Sequence, residues 1–306
     1  MSRSLRAHLL LIAVVFVWGA TFVVIKDALG DISPLFFNLL RMVLAFLCLS
    51  VVYRKHWKRL TPRALGHGAM VGLCLAMGYQ FQTAGLQLTT PSKSAFLTGL
   101  MVVLVPLLSA VPFLRTANSH APRWNAYLGA LLAFVGIVLL TTPAHAAMGF
   151  DSINKGDVLT LGCALGFALH VLAMAHALPR VEYTQLALLQ IGFCALFMSI
   201  SGPLLEHFEV HWTLRVMVAL GVAALLATAA AFTVQSYAQQ YLPATHTALI
   251  LALEPVFAWI TSFVVLGERL GWRSSAGALL VLGGIAVTEV LSSGTTAHEM
   301  TPVGEG

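Results

Sequence analysis

The chain has 306 residues, of which 58% are hydrophobic and only 9% are charged. Soluble domains carry about 25% charged residues, so this composition excludes a soluble globular protein. The formal net charge of +5 comes mostly from one short loop. A membrane protein explains this placement better than nucleic-acid binding does.

Apolar stretches of roughly 20 residues recur along the chain, and each is long enough for one transmembrane helix. They predict an all-α integral membrane protein with about ten spans. The first span is expected to remain uncleaved, because no convincing small-residue cleavage site follows it. The polar segment 292–306 is predicted to be a disordered cytoplasmic tail. The spans lie at about 9–29, 34–53, 67–86, 92–114, 124–142, 156–178, 183–202, 213–237, 244–270 and 272–291.

The loop between the second and third spans holds the densest group of basic residues. By the positive-inside rule this loop lies in the cytoplasm. An even number of spans then places both termini on the cytoplasmic side, so we expect a multi-pass protein of the cell inner (cytoplasmic) membrane. The basic residues are Arg54, Lys55, Lys58, Arg59 and Arg63.

The two halves of the sequence resemble each other. Polar residues match as well as apolar ones, which argues against a chance likeness of hydrophobic helices. Each half holds about five spans, an odd number, so two such halves in tandem enter the membrane from opposite sides. The predicted repeats are 1–143 and 156–291, with a substrate site between them. Matched pairs include Gln82 with Gln235, Trp124 with Trp272, Gly129 with Gly277 and Gly136 with Gly284.

Five short motifs resemble EamA-type members of the drug/metabolite transporter superfamily. The resemblance covers nearly the whole chain, in motif order. It implies a ten-helix inverted repeat with a central cavity, and usually export of amino acids, other metabolites or toxic compounds. It does not specify the substrate. The motifs are WGATF at 18–22, GLQ at 85–87, SAFLTGL at 94–100, LEPVF at 253–257 and LGERL at 266–270.

Glu254 directly precedes Pro255 within the ninth span. A carboxylate at membrane depth is costly unless it faces protein or water, and proline removes a helical hydrogen bond. We therefore expect a broken helix beside a cavity. Glu254 either carries a proton, binds substrate, or forms a permanent hydrogen bond that fixes the kink. In the first half, Pro106 is the corresponding helix-break position.

Other polar and aromatic residues within the spans are candidates for the cavity wall. Gln82 and Gln235 either bond between helices or line the cavity. His170 shares a helix face with Gly162 and Gly166, which favours an interhelical hydrogen bond over a proton relay. For the aromatic candidates, a packed core is the alternative. The remaining candidates are Trp18, Thr21, Phe22, Tyr79, Thr98 and Trp259.

Several cations lie near the predicted ends of spans. Lys26 and Arg41 approach the external face, where we expect them to snorkel or to pair with Asp27 or Asp31. A role at the substrate exit is the alternative. Lys93 and His246 occupy matching helix entrances in the two halves. They either attract anionic groups or anchor the helices at the interface.

These observations favour a secondary-active membrane transporter that exports small metabolites, amino acids or drug-like compounds by alternating access. A passive facilitator is an open alternative. An intramembrane enzyme is less favoured, because Glu254 has no acidic partner inside another span. No cofactor, metal or nucleic acid is expected. The expected partners are a small-molecule substrate and the lipid bilayer; coupling to protons and the oligomeric state are left open.

Overall fold

The computed structural model describes residues 3–57, 60–114, 124–141, 154–242, 247, 250–251 and 253–293. Within these residues the protein is helical, and the only strand-like pairing is an isolated bridge between Ile32 and Val210. Parts of several predicted segments lie outside the described residues. They are Lys58 and Arg59 of the basic loop, the link 142–153, His246 and the tail from 294 onward.

The described residues form twelve α-helices and one π-helix, which group into the ten predicted spans. Helices α4 and α5 together form the fourth span, and α9, the π-helix and α10 form the eighth. The helices are α1 (Arg3–Ala28), α2 (Pro34–Val52), α3 (Pro62–Leu88), α4 (Pro91–Gly99), α5 (Met101–Leu108), α6 (Trp124–Thr141), α7 (Lys155–Ala177), α8 (Tyr183–Leu205), α9 (Leu214–Gly221), the π-helix (Val222–Ala230), α10 (Ala231–Tyr241), α11 (Glu254–Leu266) and α12 (Trp272–Ser293).

Length and hydropathy agree with a membrane protein. Six helical segments of the described chain are long and apolar enough to cross a bilayer. Two shorter apolar segments, Tyr127–Gly136 and Glu254–Leu266, lie within α6 and α11. The prediction of an all-α protein with membrane-spanning helices is therefore confirmed for the described residues.

The two predicted helix-break prolines lie in different settings. Pro255 occupies the first turn of α11, where its missing N–H leaves no helical bond unmade. The break in the ninth span thus precedes Glu254. Pro106 lies inside α5, which continues through it to Leu108. In the fourth span the interruption is instead at Leu100, six residues before this proline.

Glycines allow α3 to pack closely against its neighbours. A Cβ added at Gly72 would lie 2.8 Å from the carbonyl oxygen of Gln190 on α8. A Cβ added at Gly166 of α7 would lie 2.7 Å from the backbone nitrogen of Gly78. Real Cβ atoms do not approach so closely, so larger residues at these positions would push the helices apart.

The contact between α6 and α12 uses glycines that match in the sequence repeat. A Cβ added at Gly136 would lie 2.6 Å from the Gly277 carbonyl oxygen, and one at Gly284 would lie 2.5 Å from the Gly129 carbonyl oxygen. The earlier glycine of each helix therefore faces the later glycine of the other. This reciprocal pattern means that α6 and α12 run antiparallel.

Adding one methyl group at Gly284 should destabilise the protein. The Gly284→Ala Cβ would also lie 2.9 Å from the Ala133 nitrogen, so α6 must move, which costs about 1–3 kcal/mol. The measurement is the free energy of unfolding in detergent by chemical denaturation. Gly283→Ala is the matched control, because nothing lies within 4 Å of its added Cβ and the substitution gains helix propensity. Equal stabilities of the two variants would contradict the packing described.

Candidate functional site

An internal cavity lies between helices of both halves of the sequence. Its empty volume is ≈ 600 Å³, which includes open solvent. The first half contributes α1, α2, α3 and α5, and the second contributes α7, α10, α11 and Leu251. The lining residues are Trp18, Thr21, Phe22, Ile25, Arg41, Tyr79, Gln82, Thr83, Leu86, Met101, Phe167, His170, Val171, Phe232, Gln235, Leu251 and Glu254.

Aromatic rings form a continuous part of the cavity wall. The ring of Phe232 lies 5.4 Å from Trp18, 6.0 Å from Tyr79 and 5.7 Å from His170, centroid to centroid. Phe167 meets Tyr79 edge-on at 5.2 Å. Ring contacts of this kind favour a fixed arrangement of the wall.

Trp18 is held by the π-helix. Its indole nitrogen donates a hydrogen bond of 2.8 Å to the carbonyl oxygen of Ala227. A π-helix is rare and is often found at functional sites. The hydroxyl of Thr21, one turn further along α1, donates to the Trp18 carbonyl at 2.7 Å. Both residues thus have fixed positions at the cavity.

Arg41 lines the cavity with a side chain that is only 1% exposed. Its Nε and Nη2 atoms donate to the hydroxyl of Thr228 on the π-helix at 3.1 and 2.9 Å. The guanidinium carbon lies 4.3 Å from the centre of the Tyr79 ring, a cation–π arrangement. The prediction that Arg41 snorkels or pairs with an external aspartate is therefore wrong.

Glu254 lines the same cavity from the first turn of α11. No described side chain donates a hydrogen bond to its carboxylate or forms an ion pair with it. The interpretation of Glu254 as a permanently bonded carboxylate that fixes a kink stays a prediction. Helix α1 passes directly over this turn, because a Cβ at Gly19 would lie 2.9 Å from the Glu254 carbonyl oxygen.

The structure brings most of the predicted site residues together. Thr98 lies one step behind the wall, where it accepts a hydrogen bond from Gln82 at 3.5 Å. Trp259 lies away from the cavity, with its ring 37% exposed on the surface and beside Phe263. The predicted residues that line the cavity are Trp18, Thr21, Phe22, Tyr79, Gln82, His170, Gln235 and Glu254.

His170 forms an interhelical hydrogen bond, the role that its spacing from the glycines favoured. Its Nε2 atom lies 2.8 Å from Oε1 of Gln190 on α8, an interhelical hydrogen bond. Gln190 in turn donates to the hydroxyl of Ser236 at 3.3 Å. The ring also faces the cavity. The two hydrogen bonds therefore link α7, α8 and α10 behind the wall.

Sequence reasoning missed Arg41, Phe167 and Phe232. The signal for Arg41 was its depth: it follows the start of α2 at Pro34 by seven residues, roughly 10 Å of helix. Phe232 precedes Gln235 by three residues, so the two share a helix face. No comparable signal marks Phe167 in the sequence.

Polar contacts link the helices at one end of the molecule, and we call this the paired end. Arg215 donates to Asp31 at 2.6 Å and to Asp27 at 3.4 Å. Asp31 accepts hydrogen bonds from Arg215 and also from Thr213. These bonds, with that from Arg215 the larger influence, hold the pKa of Asp31 below its ordinary value. Lys26 donates instead to the Leu86 and Gln87 carbonyls at 2.9 Å, so its predicted pairing with an aspartate is wrong.

Two further carboxylates link helices at the paired end. Lys93 at the start of α4 forms a 2.7 Å ion pair with Asp157 of α7, whose side chain is fully buried. Thr89 also donates to Asp157, at 3.2 Å. Glu268, after α11, accepts hydrogen bonds from Ser92 and Ser262. Lys93 is therefore engaged with protein rather than presented as a free cation at a helix entrance.

A sequence profile of the EamA-like transporter family matches residues 5–142 and again 154–290. The chain belongs to the EamA-like transporter family. It is accordingly a multi-pass membrane protein of a transporter family. That the same profile matches twice agrees with the internal sequence repeat.

Relatives of this EamA-like protein extend over most of its length. An "Uncharacterized transporter" of Archaeoglobus fulgidus is 33% identical over 291 residues, 94% of this chain and 87% of its own. The Bacillus subtilis "Uncharacterized transporter YvbV" is 27% identical, with 95% and 94% covered. A crystal structure with 18% identity superposes with a TM-score of 0.65 over 95% of this chain and 98% of that one. That last likeness shows a shared fold.

Removing the cation of the Lys93–Asp157 pair should be costly. Lys93→Met leaves a fully buried carboxylate without its cation, which typically costs about 3–5 kcal/mol. The measurement is the free energy of unfolding in detergent at neutral pH. Lys155→Met is the control, because this exposed lysine lies only two residues before Asp157. If both variants unfold at the same denaturant concentration, the ion pair is not stabilising.

Proposed function

We propose that this EamA-like protein is a secondary-active exporter of small organic molecules, such as metabolites, amino acids or drug-like compounds. The observation that carries the proposal is the cavity itself. Helices from both halves line it, and it holds an arginine and a carboxylate on a partly aromatic wall. Ionisable groups inside membrane spans commonly mark substrate or ion pathways.

The two halves would form an inverted repeat, with a substrate site at their junction. The double match to the family profile supports two related halves. The reciprocal contact of Gly136 with Gly277 and of Gly284 with Gly129 supports their opposite orientation. A two-fold axis in the membrane plane would relate α6 to α12. It would make these two helices antiparallel, and they would meet through equivalent residues.

Alternating access would open the cavity first to one side and then to the other. The paired end would serve as the closed side in the conformation described. Its contacts join helices of the first half to helices of the second, as Lys93 joins Asp157 and as Asp31 joins Arg215. Rocking of one half against the other would separate such pairs. Their hydration in the open state would offset part of the loss.

The protein would lie in the cytoplasmic membrane with both termini inside the cell. The basic loop between α2 and α3 supports this orientation, because it holds Arg54, Lys55 and Arg63. The paired end would then face outward, where α1 and α3 end. The cavity would release its substrate through that end during export.

Opposite orientation of the halves is testable with single cysteines. Gly30→Cys follows the first helix of the first half, and Arg180→Cys follows the first helix of the second. The background replaces the four native cysteines with alanine. In intact cells, a membrane-impermeant maleimide should label position 30 and spare position 180 until the cells are opened. Labelling of both positions in intact cells would mean that the halves enter from the same side.

Coupled export is testable with Glu254→Gln. Cells that overproduce the protein are first screened for tolerance to a panel of amino acids, analogues and drugs. The protecting compound is then added to inverted vesicles with an acidic interior. We expect wild-type protein to accumulate it uphill and to dissipate the pH gradient, because an ionisable carboxylate at the site can exchange a proton. Glu254→Gln should abolish that dissipation.

Glu182→Gln is the matched control for this experiment. Its side chain is 48% exposed and lies 3.4 Å from His56, far from the cavity wall. It should transport as wild type does. Unchanged gradient dissipation by Glu254→Gln would remove the proton role of this residue. Purely downhill flux by the wild type would make the protein a facilitator.

A further inference from the structure

Arg41 is the one feature of the cavity with a fixed charge and unused donors. A guanidinium stays protonated in proteins and carries five N–H donors in a planar fork. In this structure Nε bonds Thr228, and Nη2 bonds Thr228 and the Tyr79 hydroxyl, the latter at 3.4 Å. The Nη1 atom forms no hydrogen bond with the described part of the chain. Two donors of this buried side chain are therefore left for whatever occupies the cavity.

No carboxylate of the described residues neutralises Arg41. The ion pairs within 4 Å involve other residues, and Glu254 lines the cavity without pairing to the arginine. A buried charge without a counterion is costly. An anion in the cavity would relieve that cost.

The neighbours of Arg41 fix its direction. The Thr228 hydroxyl donates to the Ala223 carbonyl at 2.7 Å, five residues back in the π-helix. This bond orients the lone pairs of the Thr228 hydroxyl oxygen toward Nε and Nη2 of Arg41. The Tyr79 ring covers one face of the guanidinium at 4.3 Å. Because the guanidinium of Arg41 is held along one edge and one face, its Nη1 atom points in a fixed direction. This suits recognition of a planar anion.

We propose that Arg41 binds the carboxylate of the transported molecule through Nη1, and that the substrate is an organic monocarboxylate with an aromatic or branched apolar body. The proposal rests on the proposed transport function. The apolar body would lie against Trp18, Phe167 and Phe232. A monoanion matches the single positive charge of Arg41, whereas a dianion would leave excess negative charge beside Glu254.

The test measures binding, with protein reconstituted in lipid nanodiscs and no gradient applied. Four probes share a phenyl body and differ in their polar group: phenylacetate, phenylacetamide, phenethylamine and phenyl phosphate. Calorimetric titration at neutral pH gives each Kd. We expect phenylacetate to bind about tenfold or more tightly than the amide, because charge-assisted hydrogen bonds are stronger than neutral ones. Phenethylamine and phenyl phosphate should bind more weakly than phenylacetate.

Arg41→Gln should weaken phenylacetate binding about tenfold or more and bring it level with the amide. Arg41→Lys should retain part of the preference, because it keeps the charge and loses the fork. Thr228→Val keeps the arginine and removes its orienting acceptor, so it should also lower the acid-to-amide preference. Arg180→Gln is the control, because this exposed arginine follows α7 outside the cavity and donates to the His176 carbonyl.

Several results would overturn the proposal. They are equal binding of acid and amide by wild type, tightest binding of the amine or the phosphate, no binding of any probe, or a folded Arg41→Gln that keeps its preference for the acid. If Arg41→Gln does not fold, an unchanged preference in Thr228→Val also overturns it. Acid-selective binding without flux in the vesicle experiment would instead refute transport and leave the binding site standing.

Discussion

A guanidinium and a carboxylate inside one bundle of apolar helices impose the main constraint on this structure. Hydrocarbon solvates neither group, so both must face protein or water. Arg41 meets this requirement through Thr228 and the face of Tyr79. Glu254 meets it by facing the cavity. The hollow between the helices is therefore required by the charges as much as by any ligand.

The same bundle is pressed together elsewhere. Glycines bring α6 against α12 and α3 against α7 so closely that an added Cβ would overlap the neighbouring backbone. Lipid offers no hydrophobic driving force between helices, so close packing of this kind contributes much of their association. Large aromatic side chains stand at the cavity instead, and they hold the surrounding helices apart. The helices are thus closely packed where glycines lie at their contacts, and they are separated where aromatic side chains line the cavity.

Much of the fold follows from the sequence, because membrane helices need long apolar stretches and little else fits such a composition. Glu254 and the two glutamines were found for the same reason: polar atoms in apolar spans stand out. Orientation about each helix axis was harder. Trp259 was expected in the wall and lies on the surface, because the rotation of α11 is set by its packing against α1 at Gly19. Arg41 was misplaced because its position in the sequence gives its depth along α2 but not the neighbouring helices that it contacts.

The π-helix in the eighth span has a further consequence for how the sequence can vary. Each of its turns holds an extra residue compared with an α-helix. Deleting one residue within Val222–Ala230 would let the segment relax to ordinary α-geometry. Because the wider turns accommodate the extra residue, α10 would keep nearly the same direction relative to α9, and Phe232 and Gln235 would stay at the hollow. If the intact segment wound as an α-helix instead, each residue would turn through about 100° and α10 would be rotated away from the hollow. Hydropathy records no difference between these two windings, although only one of them keeps the wall of the cavity.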